Sequence, residues 1–116
     1  MNKLQRLAVK SELEKDINIY FGEFVKEKVF NTFMPVKRQF RADYFIPSIN
    51  TIIEVNGGQF INGRHNRGGK GYEDDLIKLN MANRYGFIVL QYTYEMLKRQ
   101  EYIKDFTVLL SDNPPF

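Results

Sequence analysis

The chain has 116 residues, a formal net charge of +3 and no cysteine, which fits one domain burying about two-thirds of its unfolded surface. Without thiols it forms neither disulfides nor a thiolate zinc centre, and its single histidine excludes a His-based zinc set and a His-Asn-His nuclease. Metal chemistry is left to carboxylates, which suit hard cations such as Mg²⁺ or Mn²⁺.

From Asn2 to about Phe30, apolar residues at spacings of three and four (Leu4, Leu7, Leu13, Ile17, Tyr20, Phe21, Phe24, Val25) predict one or two amphipathic helices. A break is expected between Asp16 and Gly22, and Pro35 stops any helical extension. Strands are predicted at Val36–Phe40, Arg41–Pro47 and Thr51–Val55, with Pro47-Ser48-Ile49-Asn50 turning the last two into an antiparallel hairpin. Gly57 to Gly71 holds six of the eight glycines and is expected to be a mobile basic loop.

A helix is predicted from Tyr72, with Glu73, Asp74 and Asp75 in its first turn complementing the dipole and Leu76, Leu79, Met81 and Ala82 facing inward. Gly86 suits the position just after this helix, and Phe87–Leu90 reads as a buried strand in a sheet covered on both faces. Thr93 should cap a helix over Tyr94–Arg99, and a last helix covers Tyr102–Leu110. The order ααβββαβα, with no linker or internal repeat, predicts a single α/β domain over 1–116 with a mixed central sheet flanked by helices.

Asp43 and Glu54 each interrupt a strand otherwise suited to burial. A buried carboxylate is expensive unless compensated, and a divalent cation bound by both acids would compensate them. The competing arrangement has both acids facing solvent, or paired with Arg41 and Arg38.

The chain resembles the PD-(D/E)xK nuclease superfamily, whose core is restriction-endonuclease-like. The resemblance is carried by Phe40-Arg41-Ala42-Asp43-Tyr44-Phe45, Ile53-Glu54-Val55-Asn56-Gly57-Gly58, Gly63-Arg64-His65-Asn66-Arg67-Gly68, Gly71-Tyr72-Glu73-Asp74-Asp75, Lys78-Leu79-Asn80-Met81-Ala82 and Gly86-Phe87-Ile88-Val89-Leu90. In this order over residues 36–98 these segments are similar to small phage and prophage proteins of the short-patch-repair and Holliday-junction-resolvase-like branches. The resemblance implies that Asp43, Glu54 and the Val55 backbone carbonyl hold Mg²⁺ or Mn²⁺ for hydrolysis of a DNA phosphodiester. It also points to an acid from the first helix, Glu14 or Glu12, as an added ligand.

Asn56 departs from the family pattern, because it stands where the signature lysine belongs. Lys78, on the following helix, is the leading replacement, with a surface pair to Asp74 four residues earlier as its alternative role; Lys70 is a poorer replacement.

The loop spacing fails a phosphate-binding P-loop: counting from Gly63, Gly69 takes the lysine position and Gly71 follows Lys70. Arg64, Arg67 and Lys70 on this glycine backbone, with Arg41 and Gln59, are instead expected to contact DNA, and His65 to protonate a leaving oxygen or grip phosphate. No apolar run approaches the roughly 20 residues that cross a bilayer and no signal-peptide pattern opens the chain, so a soluble cytoplasmic protein is expected; the family resemblance implies a phage-infected bacterial host. A Mg²⁺-dependent endonuclease for recombination, junction resolution or DNA processing is the first expectation, with homodimerisation compatible with the aromatic content. The alternatives are a catalytically silent nucleic-acid-binding module and a structural α/β protein whose loop contacts another protein.

Overall fold

The computed structural model describes residues 1–56 and 69–112. Helix α1 (Lys3–Phe21) opens with a capping box, in which the Asn2 side chain accepts from the Gln5 amide while the Asn2 amide donates to Gln5. It stops at Gly22, whose φ of 88° lies in the left-handed region that favours glycine. The expected break is therefore real, but the next element is a strand, β1 (Val25–Val29), and not a second helix. The apolar spacing that predicts helix through Phe24 and Val25 is overridden here by pairing with β2; the Lys and Glu of this edge strand discourage pairing with other chains.

Strands β2 (Arg41–Ile46) and β3 (Thr51–Asn56) form the predicted hairpin, joined through a 3-10 turn at Pro47–Ile49 and Asn50, whose backbone is left-handed. The expected strand at Val36–Phe40 does not form. Its place beside β2 is taken by β1, which pairs antiparallel from Val25 opposite Phe45 to Val29 opposite Arg41. Val36 and Phe40 instead pack beneath the sheet, among a buried cluster containing Phe30, Met34, Phe45 and Ile52. Their apolar character is satisfied by burial without strand pairing.

Helix α2 runs from Gly69 to Arg84. It begins three residues before Tyr72, so Glu73, Asp74 and Asp75 fall after its first turn. Most of the expected loop, residues 57–68, lies outside the described residues. The helix closes on a Schellman motif: Gly86 N–H donates to the Asn83 carbonyl at 3.0 Å and Phe87 N–H to the Ala82 carbonyl at 3.0 Å, with Gly86 at φ 85°. Leu79, Met81 and Ala82 turn inward as expected, whereas Leu76 is 42% exposed.

Strand β4 (Ile88–Thr93) pairs parallel to β3, and the sheet order is β1-β2-β3-β4. Both faces are covered, since Val89 packs with the Phe45 cluster and Leu90 with the opposite core. The strand nevertheless lies at the sheet edge, leaving Ile88 39% exposed. Thr93 caps helix α3 (Tyr94–Lys98) through its hydroxyl, and α4 (Tyr102–Asp112) comes last. The observed order is αβββαβαα, a single α/β domain with a mixed sheet.

Helices α1, α3 and α4 share a core with the other sheet face, built from Leu13, Ile17, Tyr44, Ile53, Tyr92, Leu97, Tyr102 and Phe106. Three buried phenols tie it together: Tyr44 donates to Glu14 at 2.7 Å, Tyr92 to Asp105 at 2.6 Å and Tyr102 to Asp16 at 2.5 Å. Each bond satisfies a hydroxyl that burial would otherwise strand. Burial, reinforced by the accepting carboxylate, pushes all three phenols above the ordinary tyrosine value.

A phenol whose folded value is raised contributes stability that is complete below its ordinary value of 10.0 and is lost as pH climbs past it. Urea unfolding monitored by circular dichroism is expected to show a midpoint falling steeply above about pH 10. Tyr92→Phe should lower stability at pH 7 by about 1 kcal/mol, the net worth of one hydrogen bond, while shrinking the alkaline loss. An alkaline loss of the same size in Tyr92→Phe would show that its ionisation is not involved.

Candidate functional site

The β2–β3 ladder registers Ile46 with Thr51, Phe45 with Ile52 and Tyr44 with Ile53. One step further along, Asp43 and Glu54 face each other. There the carboxylates take over from the backbone ladder: Glu54 Oε2 accepts from the Asp43 amide at 2.9 Å, and Asp43 Oδ2 accepts from the Val55 amide at 2.8 Å. Each acid binds the strand that carries the other, fixing the pair at the mouth of the hairpin.

Lys78 reaches the same point from α2 and pairs with Glu54 Oε1. The side chains of Lys78 and Glu54 are only 19% and 14% exposed, so this is a partly desolvated ion pair and not a surface contact. The Lys78 ammonium also lies 5.8 Å from the centre of the Phe30 ring. Asp74, the alternative partner for Lys78, is instead bound by Arg38 at 2.9 Å. Neither acid of the hairpin pairs with Arg38 or Arg41; Arg41 is exposed at the start of β2.

Burial raises the Glu54 carboxyl above its ordinary value, and the Asp43 charge acts in the same direction. The Lys78 ammonium and the Asp43 amide pull it back without cancelling the burial. A carboxyl raised on folding contributes stability below its ordinary value that is lost as pH rises through the folded value, so ionisation of Glu54 weighs against folding. Structural surfaces do not need such a group, and functional sites often have one.

A cavity of about 30 Å³ adjoins the Glu54–Lys78 ion pair, lined on its floor by Ile52, Glu54 and Asn56 of β3 and Gln91 of β4, and on its roof by Asp75 and Lys78 of α2. This volume holds a water or an ion. Asn56, at the position of the expected lysine, donates to Gln91 Oε1 at 3.1 Å across the parallel strands. Gln91 was not foreseen; the only signal was a polar residue following the apolar run Phe87–Leu90. In β1, Glu27 sits opposite Asp43 by register, with its backbone at a left-handed φ of 53°. A non-glycine residue there is strained, and such strain gathers at functional sites.

Glu14 does not join this group. It accepts from Tyr44 and pairs with Lys26 at 3.2 Å, serving the α1 core, and among the described residues no set of three or more acids or histidines can hold a metal. Glu12 is exposed on α1. Among the described residues no hydrogen-bond donor reaches the second Asp43 oxygen, which leaves it open to a hard cation, whereas both Glu54 oxygens are engaged and the ion-sized cavity is lined by Glu54 and not by Asp43. Gln59, Arg64, His65 and Arg67 lie outside the described residues, as does the Lys70 side chain. Among the described residues no helix is long and apolar enough to cross a membrane. The chain matches no protein-family model, no curated protein and no solved structure.

Removing one member of a desolvated pair leaves the other charge buried alone. Lys78→Met is therefore expected to destabilise the fold by about 1–3 kcal/mol, and Glu54→Gln/Lys78→Met to recover most of that loss. Additive losses in a urea double-mutant cycle would show that the two side chains do not interact.

Proposed function

We propose that the chain is a Mg²⁺- or Mn²⁺-dependent endodeoxyribonuclease of the PD-(D/E)xK type, with Lys78 supplying the cation that Asn56 cannot. The observation that carries this proposal is the convergence of Asp43, Glu54 and Lys78 from two strands and a helix on one partly buried point. Linear spacing alone does not predict that Lys78 prefers Glu54 to Asp74.

Asp43 and Glu54, with the Val55 carbonyl, would hold the ion. When bound, the ion supplies a polarised phosphodiester oxygen and a water acidified toward hydroxide. Asp43 and Glu54 contribute fixed negative charge on a rigid hairpin, which keeps the reacting groups placed without reorganisation. Lys78, at the roof of the cavity, offers an ammonium to the charge that develops on the phosphate. Phe30, Ile52 and Val89 form the apolar wall that strengthens these charges. Arg41, with Gln59, Arg64, His65, Arg67 and Lys70, is proposed to meet the DNA backbone. Recombination, junction resolution or related phage DNA processing is the setting we favour, in the cytoplasm of the host and with a homodimer supplying two sites.

A silent nucleic-acid-binding module is the second proposal, favoured by Asn56 being committed to Gln91. Supercoiled plasmid, single-stranded DNA and a four-way junction incubated with Mg²⁺ or Mn²⁺ separate the two. The nuclease should cut at least one substrate, and Asp43→Ala, Glu54→Ala and Lys78→Met should each slow cutting by on the order of 10²-fold or more. Cutting at undiminished rate in both acid variants would sink the proposed site, and binding without scission would favour the silent module.

A further inference from the structure

The ion pair between Lys78 and Glu54 has a meaning beyond the supply of a catalytic cation. Glu54 has both oxygens engaged: Oε1 by the Lys78 ammonium and Oε2 by the Asp43 amide at 2.9 Å. Asp43 has one oxygen engaged, by the Val55 amide at 2.8 Å. The amides are backbone groups on paired strands and are fixed. The ammonium, by contrast, ends a flexible four-carbon stem and rotates away at little cost. Among these contacts of the described residues, Lys78 alone is both positively charged and movable.

We propose that Lys78 is a built-in counter-ion that competes with the divalent cation for Glu54 and releases this carboxylate when the site is loaded. This inference rests on the metal-dependent reading of the site. Without the ion, Lys78 neutralises Glu54 and holds α2 against β3. On loading, Lys78 gives up Glu54 Oε1 and remains in the cavity that its own helix roofs, beside Asp75, where a phosphate can meet it. One side chain therefore lowers metal affinity and later serves the reaction. These two roles oppose each other in a way that substitution can separate.

Two unit charges a few ångströms apart in a partly buried site interact strongly enough to shift affinity by an order of magnitude or more. Mn²⁺ titration of the whole chain without DNA, followed by calorimetry and by the electron paramagnetic resonance of free Mn²⁺, tests the competition independently of cleavage. Lys78→Met is expected to bind Mn²⁺ about tenfold tighter than the wild type, whereas Lys78→Arg, which keeps the charge, is expected to show no such gain. Asp43→Asn should lose binding in both the wild-type and the Lys78→Met background.

Thermal melts with and without Mn²⁺ keep the test valid if a variant is destabilised, since tighter binding appears as a larger upward shift in the melting temperature of Lys78→Met than of the wild type. Equal or weaker Mn²⁺ binding by Lys78→Met, with binding still lost in Asp43→Asn, would overturn the competition and leave the metal site standing. Absence of Mn²⁺ binding in the wild type and in Lys78→Met alike would overturn the metal site itself. Tighter binding joined to slower cleavage in Lys78→Met is the signature of the two opposed roles.

Discussion

The site depends on how two strand amides are satisfied at the mouth of the β2–β3 hairpin. A backbone amide withdrawn from water needs an acceptor. At Asp43 and Val55 those acceptors are the carboxylates of Glu54 and Asp43. The same bonds that close the hairpin therefore hold two negative charges side by side. The charges in turn demand a positive partner, which α2 brings as Lys78. Backbone hydrogen bonding and charge pairing meet at one point, and the neighbouring cavity, with its apolar wall of Phe30, Ile52 and Val89, makes both more consequential.

The remainder of the fold acts as scaffolding for that point. On one face, three tyrosine hydroxyls on carboxylates fasten α1 and α4 to each other, to the sheet and to the buried core. On the other, an aromatic group in which Phe33 stacks on Phe45 at 4.5 Å, with Phe87 edge-on to both, locks the 30–40 segment and the end of α2 beneath the strands. Asp43 and Glu54 thus stand on a hairpin packed from both sides. Preorganised electrostatics requires that kind of support.

The hairpin was legible in the sequence because apolar strands flanking Pro47–Asn50 fix both the turn and the register, and the register sets Asp43 against Glu54. The Thr93 cap, the role of Gly86 and the last helix were legible for similarly local reasons. Strand β1 was not, since the helical apolar spacing runs on through Phe24 and Val25 and only the long-range pairing with β2 makes it extended. The false strand at Val36–Phe40 shows the reverse: its apolar content is satisfied by packing beneath the sheet, while β1 takes the place beside β2. Lys78 was ambiguous because Asp74 lies one turn away, and Arg38, distant in sequence, removes that competitor. Glu14 stands apart from Asp43 and Glu54, which sequence could not show because its partners Tyr44 and Lys26 are set by the fold.

The Lys78–Glu54 pair also bears on how the protein matures. In many small metal proteins the ion is a structural member, and the chain unfolds when it is withdrawn. Here a side chain already supplies the positive charge at Glu54, and the hairpin amides are already satisfied by the acids. On the proposed metal-dependent reading, the hairpin therefore does not need the ion to satisfy its buried groups. If the proposed ion binds, its concentration would govern when the site is loaded and not whether the fold forms.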